Sequence, residues 1–217
     1  MKVGLDFDGT ITDWYGYWIP FLQEKLGAMP VNPRGRRFHE IFDITEEDDK
    51  YIYKRYGAEY ELHAPMRSNM MQALAFLESA GIDYYIVTHR DQGDIGTSRV
   101  KEWVLENIVT RYQDIDLDAD HYKGVYCVSP GESKIPMLKK LGIDVMVDND
   151  VDVISECLDN NIRAIKMQTP SNVFVHITPY MANDGIDLED LFDMLLEEEY
   201  KSNEDCEETV NDECTSV

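Results

Sequence analysis

The chain has 217 residues, 43% of them hydrophobic and 11% aromatic, which is enough for one globular body plus an insertion or a tail, with a core that needs no disulfides or metal clips. Its 43 acidic residues against 20 basic ones leave a formal charge of −23. That excess counts against nucleic acid and anionic membranes as partners, so an anionic ligand has to enter through a local basic patch or beside a bound cation.

In chain order, Lys2–Phe7 reads as a buried strand. Residues 14–65 carry no strand pattern. There Tyr17–Leu26 and Thr45–Tyr60 read as helices, the second opened by Thr45 as N-cap with acids in its first turn. The segment is expected to form a small helical cap over one end of the sheet. Helical patterns at Met66–Ala80, Asp94–Thr110, Glu132–Leu141 and Val151–Asn160 then alternate with apolar runs at Asp83–Val87, Val125–Val128, Val145–Val147 and Arg163–Met167. Gly81 and Gly142 stand where helices stop. Such alternation defines the α/β class, with a Rossmann-like parallel sheet flanked by helices and ligands at the carboxyl ends of the strands.

The expected division is an α/β core over residues 1–13 and 66–195, the cap over 14–65, and an acidic tail over 196–217. From Glu197 to Glu213 nine acids face the single Lys201, so the tail is expected to be disordered, its partner unspecified. No run reaches the roughly 18 apolar residues of a membrane helix. Asp6 arrives too early for a signal peptide. Cys127, Cys157, Cys206 and Cys214 form no C-x-x-C pair, as expected of reduced thiols in a cytoplasmic protein.

The chemistry gathers at strand ends. Asp6 and Asp8, two apart on the first strand, project to one side about 6–7 Å apart. Two anions at the mouth of an apolar sheet call for a raised pKa or a bound cation. One carboxylate can then attack an electrophile while the other, holding a proton, serves a leaving oxygen. Gly9 lets the backbone turn sharply, and the Thr10 hydroxyl can tie the turn down. At the end of the next strand Thr88, His89 and Arg90 offer a hydroxyl, an imidazole and a guanidinium suited to phosphate oxygens. A lone lysine at a helix start is usually solvated, but Lys134, opening a helix fourteen positions before Asp148, can neutralise a nucleophile and its phosphate together. Asp148, with Asp6, supplies oxygen ligands of the kind Mg²⁺ takes. Acids enriched at a helix start explain Asp150 and Asp152 well and Asp148 badly.

These four pieces, Asp6-x-Asp8-Gly9-Thr10, Thr88, Lys134 and Asp148, resemble in order and spacing the four motifs of the haloacid dehalogenase (HAD) superfamily of phosphohydrolases, across nearly all of residues 1–170. The stretches from Lys134 to Asp150 and from Ile165 to Pro170 are similar to its 5′-nucleotidase and deoxyribonucleotidase branch. The resemblance implies that Asp6 attacks phosphorus to form an aspartyl-phosphate, and that Asp8 protonates the leaving alcohol and then activates water. It also implies that Thr88 and Lys134 bind the phosphoryl group and that Asp6, the Asp8 carbonyl and Asp148 or Asn149 hold Mg²⁺. The last motif departs from the pattern by reading Asp148-Asn149-Asp150, so the third ligand is Asp148 or Asn149, with Asp148 the favoured one.

In the cap, Trp14, Tyr15, Tyr17, Trp18 and Phe21 precede Arg34, Arg36, Arg37 and His39. Aromatics beside cations suit a base and its phosphate, although Trp18 and Phe21 at helical spacing read as the cap's own core. Trp14 and Arg36 join Thr10, His89 and Arg90 as the expected substrate contacts. The resulting expectation is a Mg²⁺-dependent phosphomonoesterase for a small phosphorylated metabolite, with a nucleoside monophosphate as the first choice. A sugar phosphate or other small phosphometabolite is the alternative. A nucleotide-binding or interaction protein without turnover is the reading from another class.

Overall fold

The structure, a computed structural model, describes residues 1–27, 29–90 and 95–213, without the side chains of 95, 96 and 202–213. Asp94, expected to open a helix, and Cys214 lie outside these residues. Six parallel strands form one sheet in the order β3-β2-β1-β4-β5-β6. They are β1 (Lys2–Leu5), β2 (Asp83–His89), β3 (Tyr122–Val128), β4 (Val145–Asp148), β5 (Arg163–Met167) and β6 (Met181–Ala182). The Rossmann-like α/β class expected from the alternating pattern is the observed one.

Alternation along the strands sorts side chains onto two faces. Val3, Leu5, Tyr84, Ile86, Val145 and Val147 point to one core, packed by α4 (Met70–Ser79), α5 (Ile95–Val104) and α9 (Gly185–Glu213). Tyr85, Val87, Met146 and Ala164 point to the other, beneath α7 (Ile135–Leu141) and α8 (Val151–Asp159). Between α5 and β3 the helix widens into a π-helical turn over Leu105–Val109 before α6 (Thr110–Gln113).

The insertion after β1 carries three helices, with a separate apolar cluster of their own. They comprise α1 (Trp14–Leu26), α2 (Phe38–Ile41) and α3 (Glu46–His63). Thr45 caps α3 as expected: its hydroxyl accepts the Asp48 amide while the Asp48 carboxylate accepts the Thr45 amide. Two chain crossings tie the insertion to the sheet. The Asp13 amide donates to the Pro65 carbonyl, and the Arg67 amide to that of Ile11. This pairing delays α4 to Met70, four residues after the expected start at Met66.

The segment from residue 196, expected to be a disordered tail, is helical as far as Glu213. α9 runs unbroken to Glu213, because 186–213 contains neither glycine nor proline and is rich in glutamate, a good helix former. Leu195 is buried and Leu196 packs beside it on the main core, so the body continues past the expected boundary. β6, two residues long, is too short to leave a periodic signal.

Candidate active site

The site is assembled where three strands end side by side. Leu5 is level with Ile86 on β2 and with Val147 on β4, so Asp6, Thr88 and Asp148 all emerge at one carboxyl edge. After the Asp6 amide has donated to the Val147 carbonyl, the Phe7 carbonyl accepts the amides of Thr10, Ile11 and Thr12. The chain therefore turns from strand to tight loop at Asp6 rather than continuing to Phe7. Gly9 holds this loop at φ 76°, and a Cβ there would meet the Asn149 side chain at 2.9 Å, so only glycine fits.

Lys134, immediately before α7, reaches into this edge. Its Nζ donates to Asp6 Oδ1 at 2.6 Å and to Asp148 Oδ2 at 2.8 Å. Lys134 and Asp148 are each 1% exposed. Burial opposes the ammonium charge, but Asp148 and Asp6 outweigh it and hold the Lys134 pKa above its ordinary value. Burial raises Asp148; Lys134 opposes the rise and Asp6 adds to it, so the carboxyl is pushed up to about 7. Asp6 Oδ2 and the Thr88 hydroxyl make no hydrogen bond to other described residues.

Asp8 has partners of its own outside this cluster. Its Oδ2 accepts Arg90 Nη2 at 2.7 Å, and its Oδ1 accepts the Tyr60 hydroxyl of α3 at 2.9 Å. Glu61 shares Arg90, at 3.3 Å, and binds Arg99 at 3.2 Å, so Asp8 does not have the guanidinium to itself. Burial and the nearby Asp8 charge raise the Tyr60 pKa well above its usual value, which keeps the phenol protonated. Tyr60, Glu61 and Arg67, whose Nη2 donates to the Gly9 carbonyl, were not singled out from sequence. Tyr60 and Glu61 sit in a polar helix whose pattern gives no hint of what it faces.

Several expected contacts resolve differently. Trp14 is 7% exposed, stacks on Phe38 at 5.2 Å and donates its indole N–H to Tyr53, so it is core rather than a substrate contact. An aromatic inside a small helical cluster has more to gain from burial than from display. Arg36 spans from the insertion to Asp150 (2.7 Å) and Asp152 (3.4 Å), which leaves its charge answered within the protein. Arg90 is likewise held by Asp8 and Glu61. Thr10 is fully buried and reaches Asn149 Oδ1 at 3.4 Å, the turn-tying role. His89 Nε2 lies 2.9 Å from the Glu132 carbonyl.

Two cavities flank the cluster. One, of about 430 Å³, is polar and includes Tyr15, Arg36, Asn149 and Ser171. The other, of about 420 Å³, is lined by Asp8, by Tyr53, Gly57 and Tyr60 of α3, by His89 at the end of β2 and by Pro130, with mostly apolar walls. Among the described residues no three His, Cys, Asp or Glu side chains converge as a metal site. Asp148 is enclosed, with Oδ1 accepting the Asp150 amide and Oδ2 accepting Lys134. Asn149, by contrast, faces Gly9 and the polar cavity. Among the described residues no helix is long and apolar enough to cross a membrane.

Neither a protein-family model nor a curated protein matches the chain. Among solved structures it is similar to a predicted phosphoglycolate phosphatase from Haemophilus somnus, at 14% identity and a TM-score of 0.60, covering 89% of this chain and 97% of that one. It is also similar to a family IA HAD hydrolase from Entamoeba histolytica, at 14% identity and a TM-score of 0.51, covering 88% and 98%. A third similar structure is CbbY from Rhodobacter sphaeroides in complex with xylulose-(1,5)bisphosphate, at 9% identity and a TM-score of 0.52, covering 85% and 94%. The chain has the HAD-like fold.

Proposed function

We propose that the protein is a phosphomonoesterase acting on a small phosphorylated metabolite through an aspartyl-phosphate. The observation that carries this reading is the buried Asp6, Lys134 and Asp148 cluster at the strand ends, with Asp6 Oδ2 and the Thr88 hydroxyl uncommitted among the described residues. Asp6 attacks phosphorus, the bond from phosphorus to the ester oxygen breaks, and Asp8 gives that oxygen a proton. Asp8 then takes a proton from water, which attacks phosphorus and frees Asp6. Lys134 and the Thr88 hydroxyl hold the phosphoryl oxygens, so the clamp is set before charge develops.

Two buried acids share one ammonium, so the cluster is one positive charge short. The Asp6 carboxylate, the Asp8 backbone carbonyl and the Asn149 amide oxygen are hard donors of the type that Mg²⁺ takes while keeping several waters. Bound there, Mg²⁺ supplies Lewis-acid polarisation of the phosphoryl oxygens. Asn149 is the better third donor because it lines the polar cavity, its Oδ1 meeting Thr10 only at a long 3.4 Å, whereas Asp148 is enclosed.

Sugar phosphates and comparable metabolites are the substrate class favoured. The similar structures include a predicted phosphoglycolate phosphatase and a complex with xylulose-(1,5)bisphosphate. The nucleoside monophosphate reading rested on the likeness of Lys134–Asp150 and Ile165–Pro170 to the nucleotidase branch and on the aromatics and cations of the insertion, of which Trp14 and Arg36 are engaged within the protein. The test is phosphate release from panels of sugar phosphates and nucleoside monophosphates, with Mg²⁺ and with EDTA. Expected is Mg²⁺-dependent release, highest on the first panel and absent in Asp6→Asn. Failure to hydrolyse any ester overturns the proposal.

A further inference from the structure

We infer that the apolar cavity beside Asp8 receives the leaving group, that it suits a compact ring-bearing alcohol lying flat on Tyr53 and Pro130, and that Gly57 sets its size. This rests on the phosphomonoesterase reading above. Tyr53, Gly57 and Tyr60 recur at i, i+4 and i+7 and so share one face of α3. That face forms one wall of the cavity, and Asp8, the proton donor to the departing oxygen, lies at its edge.

Gly57 is the telling residue. Glycine in mid-helix is disfavoured because it loses more backbone freedom than any other residue on folding. Nothing local demands it. Gly57 is not among the positive-φ residues, and among the described residues a Cβ built on it would meet only Tyr53 Cδ1, at an ordinary 3.8 Å. Among the described residues, the missing side chain therefore serves neither a turn nor a close contact; it leaves room in the cavity.

The remaining walls define what fits. The Tyr53 hydroxyl accepts the Trp14 indole N–H, the Tyr60 hydroxyl is engaged by Asp8 and Thr12, and Glu61 and Arg90 answer each other. Apart from Arg90 Nε, which pairs with Glu61 by charge at 3.3 Å without a hydrogen bond, these polar groups are already satisfied, and ring faces with Pro130 are what the cavity offers. A flexible polyol chain would lose water here without replacement hydrogen bonds, whereas a ring with an apolar face loses little.

The experiment compares wild type, Gly57→Ala and Gly57→Leu on two ring esters, p-nitrophenyl phosphate and glucose 6-phosphate, and on one small acyclic ester, 2-phosphoglycolate. Expected for Gly57→Leu is a fall of about tenfold or more in the ratio of kcat/KM for ring over acyclic esters. Gly57→Ala should lower that ratio less while its Tm stays at or above that of wild type. Should the leucine variant fail to fold, the alanine ratio decides. An unchanged ratio, or wild type that hydrolyses 2-phosphoglycolate and neither ring ester, overturns the pocket assignment alone. No release from any of the three esters or from the wider panels overturns the phosphatase reading, and this inference falls with it.

Discussion

Two lysines are closed off from solvent near the same edge of the sheet, and they do opposite work. Lys134, 1% exposed, faces two carboxylates. Lys166 on β5, 0% exposed, donates to the backbone carbonyls of Asn172 and Val175. Burial lowers the Lys166 pKa, whereas the acids raise that of Lys134. Equal burial with unlike partners makes one ammonium a charge clamp and the other a strut. The strut still bears on the site, because the segment it holds presents Asn172, whose Nδ2 donates to the Asn149 carbonyl at 2.7 Å.

The widest separation between the two comes from chemistry. Asp6→Asn should reduce phosphate release by roughly 10⁴-fold or more, with the circular dichroism spectrum unchanged since Asp148 still pairs with Lys134. Lys134→Met should also abolish measurable turnover, and should cost about 3–5 kcal/mol in urea unfolding because two buried acids lose their shared cation. A cost below about 1 kcal/mol would erase the contrast with Lys166.

Lys166→Met should cost about 1–3 kcal/mol, the price of two unpaired carbonyls, while turnover survives; complete loss of activity would make the strut a second clamp. The pH dependence separates them further. With its folded pKa below the ordinary 10.5, Lys166 sheds its proton in the native chain before the unfolded chain does. Between those two values wild-type stability relative to Lys166→Met should therefore rise with pH, as urea midpoints taken across the window would record. The neutral amine keeps two hydrogens, enough for both carbonyls. The smallest effect is Arg36→Ala. The Arg36 side chain is 50% exposed, and screened pairs of this kind contribute about 0–1 kcal/mol. A large loss of substrate affinity in that variant would return Arg36 to the substrate.

Much of the charged cluster was legible before the fold. Asp6, Asp8, Thr88, Lys134 and Asp148 each stand at the end of an apolar run or the start of a helix, and parallel strands bring such ends together. The insertion was less readable. Trp14 and Arg36 follow a pattern common to a binding surface and a small aromatic core, and local spacing does not distinguish them. Tyr60 and Glu61 sit in a helix rich in charge, where nothing in the pattern marks the two residues that face Asp8 and Arg90. The acidic composition after residue 196 predicted disorder, yet helix propensity and the burial of Leu195 carry α9 onward.

By itself the amino-acid order determined the α/β class and the residue types at the strand ends, because period-two burial and helix stops are local and the parallel sheet follows from their alternation. Only the tertiary structure decided that Asp8 turns to Arg90 and Tyr60, that Asn149 rather than Asp148 faces the cavity, and that Gly57 opens onto space. Those outcomes depend on which surfaces meet across more than forty residues of chain, where competing contacts of similar energy are settled by packing rather than by neighbours in sequence.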